Sequence, residues 1–225
     1  ADEYEQQVKY NVRLVNDRPK KVEKTQAMVD AVQAGLRFSA HALDTYLDCP
    51  LKFYYRYVLR LAEREEVSDE MEATDIGELV HNILARYFEP LRERRLVRGD
   101  FRQDRLDRIV DKCFEETFGK DLTGTVLLLR RQVEHQLWQF LNEYQAPLAS
   151  RETVQVLSTE QTVEVEYNGY RFTGRIDRIE RRGDRTFILD YKTGANEKKS
   201  SIKLDKLDVN SPDTWRDAIR SFQLP

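Results

Sequence analysis

Between residues 153 and 192 the chain changes texture, and that change limits the folds open to it. Residues 153–167 are rich in Val and Thr, "YRFTGRIDRIE" follows at 170–180, and "TFILDYK" occupies 186–192. Asn168-Gly169 separates the first two runs. Asn-Gly suits a two-residue hairpin turn, where both central positions take positive φ. "RRGDR" separates the second run from the third. Three extended runs joined by tight turns predict an antiparallel meander. A meander with an apolar face needs a cover.

The cover lies upstream. "DIGELVHNILARYFEPLRE" (75–93) puts Ile76, Leu79, Val80, Ile83, Leu84, Tyr87 and Phe88 on one helical face. Residues 103–118 and about 125–146 read as two further helices. In "AHALDTYLDCPLKFYYRYVL" (40–59), Ser39 is a good N-cap and Pro50 should interrupt the segment or begin a second helix, since it cannot donate within a helix interior. Residues 60–74 are charged and read as a loop. Residues 1–37 read as an appendage: Val8, Tyr10, Val12 and Leu14 alternate as in a strand, and a short helix ends at Gly35. After Gly194 comes a polar stretch, then "TWRDAIRSFQ" (214–223), a last helix that Asp213 can cap. The order predicts α+β, or α/β if a further strand joins in parallel.

A net charge of −3 over 225 residues gives no global basic signature of a nucleic-acid binder. Lys and Arg can still be concentrated in one groove, and a site that loads cations needs acids. Two cysteines, Cys49 and Cys113, make no disulfide framework and suggest a reducing compartment. No run reaches the roughly 18 apolar residues of a membrane span, and no signal-peptide pattern opens the chain. The expectation is a cytoplasmic protein with no membrane partner.

Three charged residues interrupt the strands. Asp190 and Lys192 project to one face by the i, i+2 rule, with Leu189 and Tyr191 on the other. Asp177 stands thirteen residues before Asp190, and a hairpin at "RRGD" brings the two together. Close carboxylates repel unless a cation lies between them, and oxygen ligands suit Mg²⁺ or Mn²⁺. Alone, Asp-x-Lys is the pattern of an ordinary surface salt bridge. The apolar run, the second acid, and Gly174 and Gly194 on either side put metal chemistry on an equal footing with it. His81 stands one turn after Gly77 at the edge of the apolar helix face, where a lone histidine is more often packed than ligating. Glu160 reads as a solvated strand acid.

"FSAHALDTYLDCPLKFYYRYVL", "GELVH", "GRIDRIE", "ILDYKTG" and "FQLP", in this order, resemble the RecB-like branch of the PD-(D/E)XK nuclease superfamily over roughly residues 38–225. The resemblance implies an α/β fold, a restriction-endonuclease-like mixed sheet flanked by helices, whose parallel edge would come from near residues 222–225 or beyond. It implies a nuclease domain at 38–225 cut short at its C-terminal end, part of a larger helicase–nuclease. It places His81, Asp177, Asp190 and the Tyr191 carbonyl at metal-ligand positions and Lys192 at the catalytic lysine. Glu160 matches the first-strand acid loosely, and Gln223 the glutamine of a Gln-x-x-x-Tyr motif. Mg²⁺ or Mn²⁺ would be the cofactor. Some members hold a [4Fe–4S] cluster through a cysteine placed like Cys49, but four thiolates are needed and this chain alone has two.

The implied activity is hydrolysis of DNA phosphodiesters, as an exonuclease on single- or double-stranded ends, with a helicase domain or subunit as partner. Lys52, Arg56, Arg175 and Arg178 can follow a DNA backbone or be plain surface charges. Tyr54, Tyr55 and Tyr57 can stack on bases or pack a helix. The alternative readings are a nuclease fold without activity that binds DNA or a partner subunit, and a structure-specific or restriction-type endonuclease.

Overall fold

The structure, a computed structural model, describes residues 22–61, 73–193, 202–219 and 221–222. Its centre is a four-stranded mixed sheet with helices packed against it. β2 (Val154–Tyr167) and β3 (Tyr170–Arg182) form a long antiparallel hairpin, and β4 (Arg185–Leu189) pairs antiparallel with the end of β3. Asn168 and Gly169 close the hairpin with φ of 50° and 77°, the left-handed pair that a type I′ turn demands. The expected parallel edge near 222–225 lies, but for Phe222, outside the described residues; a parallel partner is found elsewhere. It is β1 (Arg37–Phe38), which pairs with Arg171 and Phe172 of β3.

Helix α1 (Gln26–Gly35) precedes β1, and α2 (Ala40–Asp48) follows it. Ser39 Oγ accepts the Ala42 N–H at 3.1 Å, so the sequence's N-cap is in place. Pro50 opens α3 (Pro50–Phe53), which runs on as a π-helical turn over Tyr54–Val58. Phe38, Phe53 and Phe172 pack in one aromatic group with Tyr46 and Tyr57 at its edge. Tyr57 is thus a packing residue, while Tyr55 stays exposed.

The main core lies at the other end of the sheet. α4 (Ala73–Phe88) turns Leu79, Ile83, Leu84, Tyr87 and Phe88 inward, all buried, and Pro90 stops it in a 3₁₀ turn. α5 (Gln103–Phe118) adds Leu106, Val110 and Phe114. α6 (Gly124–Gln139) adds Val133 and Leu137, then continues through a π-helical stretch, Phe140–Gln145, into α7 (Ala146–Arg151). Val154 and Val156 bring the sheet into the same cluster.

β2 does not keep one register. Val156 pairs with Glu180 but Ser158 pairs with Ile179, leaving Leu157 as an extra bulged residue. A bulge reverses which side chains face which side of the sheet from that point on. It is invisible to a period-two reading of the sequence.

The last helix is shorter than expected. α8 is only Trp215–Ala218, and Ile219 turns extended to form an antiparallel bridge with Ile202. Ser221 Oγ and the Phe222 N–H then donate to the Asp44 carboxylate at 2.8 and 2.7 Å, so the segment docks on α2. The alternation at Val8–Leu14, most of the 60–74 loop, Gly194 and Gln223 lie outside the described residues. No helix among the described residues is long and apolar enough to cross a membrane.

Both cysteines are free thiols. Cys113 is 1% exposed in the core, and burial pushes its thiol pKa up, whereas Cys49 is partly exposed at the start of α3. A thiolate-selective reagent should therefore modify Cys49 in the native protein and reach Cys113 only on unfolding. Denaturant without reductant should give two thiols. Equal native rates, or a denatured count of zero, would contradict this packing.

Candidate metal centre

The site is built where α4, β2, β3 and the chain leaving β4 meet. β3 is central, and Asp177 on it is 7% exposed. The pairs Thr159–Arg178 and Gln161–Ile176 put Glu160 of β2 across from Asp177. Without the bulge at Leu157 that place would fall to Thr159, so the bulge is what aims Glu160 at the site. Glu160 itself has φ 48°, a left-handed conformation that costs a non-glycine residue roughly 1–2 kcal/mol. Such strain persists only where surroundings enforce it, and it gathers at functional sites.

His81 comes in from α4. Its Nδ1 lies 3.3 Å from Asp177 Oδ1 and 3.6 Å from Glu160 Oε1. Its Nε2 lies 2.9 Å from the Tyr191 carbonyl. A carbonyl only accepts, so Nε2 carries a proton and Nδ1 faces two carboxylates. That face needs a proton or a cation. The hydrogen bond and charge of Asp177 accordingly raise the His81 pKa above its ordinary value, outweighing burial. The Tyr191 N–H also donates to Asp177 Oδ2 at 2.5 Å. One peptide unit on either side of Tyr191 thus orients both His81 and Asp177.

His81, Glu160 and Asp177 each offer a ligand atom, all within 4.8 Å of one another. Glu160 Oε1 is buried and has no hydrogen-bond partner among the described residues. A buried carboxylate oxygen left without a donor is costly, and a hard cation would satisfy it. The donor set, one imidazole nitrogen and two carboxylates, fits a divalent cation.

The PD-(D/E)XK nuclease superfamily model matches residues 37–209. The chain belongs to that superfamily. Over 190 residues it is 27% identical to an ATP-dependent helicase/deoxyribonuclease subunit of Carboxydothermus hydrogenoformans, covering 75% of this chain and 17% of that protein. The subunit of the same name from Clostridium acetobutylicum is 25% identical over 180 residues, 71% of this chain and 15% of that protein. That from Clostridium perfringens (strain SM101) is 24% identical over 198 residues, 77% and 17%. The chain therefore spans about a sixth of the length of these relatives.

In this nuclease-superfamily domain Asp190 and Lys192 pair at 2.7 Å, as i, i+2 neighbours. The β3–β4 register, Arg178 with Leu189, continued by one residue, puts Asp190 on the other flank of Asp177 from Glu160. Asp190 stands outside the His81–Glu160–Asp177 group, and the Tyr191 carbonyl serves as an acceptor for His81. Gly77 matters sterically: a Cβ there would lie 3.3 Å from Thr193 Oγ1, tight for the helix's approach. Gly174 has room for a Cβ, with Val163 Cγ2 at 3.7 Å.

Arg178 is the clearest departure. Read from sequence as able to follow a DNA backbone, it is 1% exposed, on the sheet face opposite Asp177. It pairs with Glu180, 0% exposed, at 3.0 Å, and its guanidinium lies 4.2 Å from the Phe88 ring centre. Strand alternation alone carries the signal for this: if Asp177 faces the site, Arg178 cannot.

The His81 assignment is open to test. In chelator, its ring protons should titrate above pH 6.5 by NMR, and Asp177→Asn should lower that midpoint. A His81 midpoint at or below 6.5 in the parent would contradict the geometry.

Proposed function

We propose that this chain is the DNA-hydrolysing domain of a longer helicase–nuclease polypeptide, acting at DNA ends with Mg²⁺ or Mn²⁺. The observation that carries this reading is Glu160 Oε1, buried and without a donor among the described residues, beside Asp177 and the Nδ1 of His81. The relatives' names, which pair helicase with deoxyribonuclease, support DNA as substrate and a helicase partner. The reading carries with it a cytoplasmic location and a domain beginning near residue 38.

A divalent cation held by His81, Glu160 and Asp177, with Asp190 on the flank, would supply Lewis acidity toward the scissile phosphate and the attacking water. Asp177 would give one oxygen to that task while the other stays on the Tyr191 N–H. His81 is fixed by the Tyr191 carbonyl with Nδ1 toward the acids. Lys192, held beside Asp190, offers an ammonium to the phosphate or orients the water. In the reaction water adds at phosphorus, the bond to the leaving sugar oxygen breaks, and that oxygen takes a proton.

Linear single- and double-stranded DNA should be degraded in Mg²⁺ or Mn²⁺ and not in chelator. Circular single-stranded DNA, which has no end to enter, should survive. Lys192→Ala should lower cleavage on the order of 10²–10³-fold while Mn²⁺ binding, followed by calorimetry, stays largely in place. Asp177→Ala should lose both, and Asp190→Ala, which removes the flanking acid, should weaken both. DNA that is bound but left intact under every metal condition would favour the inactive binding module instead.

A further inference from the structure

Arg175 shares the face of Asp177 on β3, two residues before it. It sits diagonally from Glu160, within reach of a long side chain. Its Nε lies 2.5 Å from Glu160 Oε2, and it is 64% exposed against 14% for Glu160. The two oxygens of Glu160 therefore have different neighbours. One is held by an arginine that reaches in from solvent. The other has no donor among the described residues and faces His81.

A carboxylate so divided can neutralise the arginine or a divalent cation, and it serves both poorly at once. With a cation on Glu160, the guanidinium of Arg175 is repelled from the site. It is exposed enough to swing out, and it lies on the solvent-exposed side of the Glu160–Asp177 pair. Phosphate is the anion that a substrate strand brings, and guanidinium recognises phosphate through two parallel N–H bonds.

We propose that Arg175 is a phosphate-contacting residue held on Glu160 until a divalent cation takes that carboxylate. Cation loading and DNA-backbone binding are thereby coupled through Glu160. The inference rests on the reading of this site as one for a cation and DNA. Linkage makes the coupling reciprocal: phosphate that draws Arg175 away frees Glu160 and tightens the cation. Arg175 is thus a competitor of the cation when DNA is absent and a ligand of DNA when the cation is present. A residue that merely props Glu160 in place would act with the opposite sign on the cation.

The test uses Arg175→Gln in the full chain, with and without Lys192→Ala to keep the DNA intact. Calorimetric Mn²⁺ titration without DNA should show tighter binding, about two- to fivefold, the range for an exposed ion pair. Anisotropy of a single-stranded oligothymidylate across a salt series in Mn²⁺ should show the slope of log K against log salt reduced by about 0.7, one phosphate contact. In chelator the slope should not change. Arg175→Lys should restore most of both effects, and unfolding curves matching the parent would show that the fold is kept. Unchanged or weaker Mn²⁺ binding by Arg175→Gln, or an unchanged slope in Mn²⁺, overturns the proposal. If the parent cleaves no DNA yet shows this linkage, the hydrolytic reading fails and the coupling stands. Cleavage without linkage gives the reverse.

Discussion

A guanidinium buried behind the sheet holds the parts of the site together. Arg178 lies between the ring of Phe88, the last residue of α4, and that of Tyr191, just past β4, with centroid distances of 4.2 and 5.7 Å. Burying an unpaired charge costs several kcal/mol. Here Glu180 supplies the countercharge, and Arg182 pairs with the same carboxylate at 2.5 Å. Arg178 Nε and Nη1 find no protein acceptor among the described residues, so the ring faces supply part of the compensation. The result ties the helix that carries His81 to the segment that carries Asp190, Tyr191 and Lys192. The tie runs through the strand that carries Asp177.

That tie fixes the Tyr191 backbone, and the chemistry follows from it. Its carbonyl sets the His81 tautomer, and its N–H occupies one oxygen of Asp177. The ring of Tyr191 packs at the edge of the core against Phe140, and burial pushes its hydroxyl pKa up. The packed ring thus anchors the peptide groups on either side of it. On the proposed reading, His81 and Asp177 are aimed before any cation arrives, which is the preorganisation that electrostatic catalysis needs.

Much of this was legible in the sequence for definite reasons. The Asn168-Gly169 turn and the i, i+2 spacing of Asp190 and Lys192 are local, and local geometry is what residue order specifies. The seven apolar positions of α4 likewise announce a buried helix face, and His81 sits at its margin. Three features were not legible. The parallel strand is two residues long at Arg37–Phe38, too short for any pattern, and exists because Phe38 packs on Phe172. The prominence of Glu160 depends on the extra residue Leu157, which leaves no mark in composition or period. The end of α8 at Ala218 is set by a tertiary bridge, Ile202 with Ile219, that helix propensity cannot foresee. The burial of Arg178 was implied by alternation with Asp177, but charge is a poor guide once a strand has both faces covered.

The central claim is that these side chains form one cation site positioned by the Tyr191 backbone. Manganese anomalous scattering from crystals soaked in Mn²⁺ tests it most directly. The account predicts a peak bounded by His81 Nδ1, Glu160 Oε1 and an Asp177 oxygen, with Nε2 still on the Tyr191 carbonyl. A peak held elsewhere on the chain, or none there at saturating Mn²⁺, would contradict it.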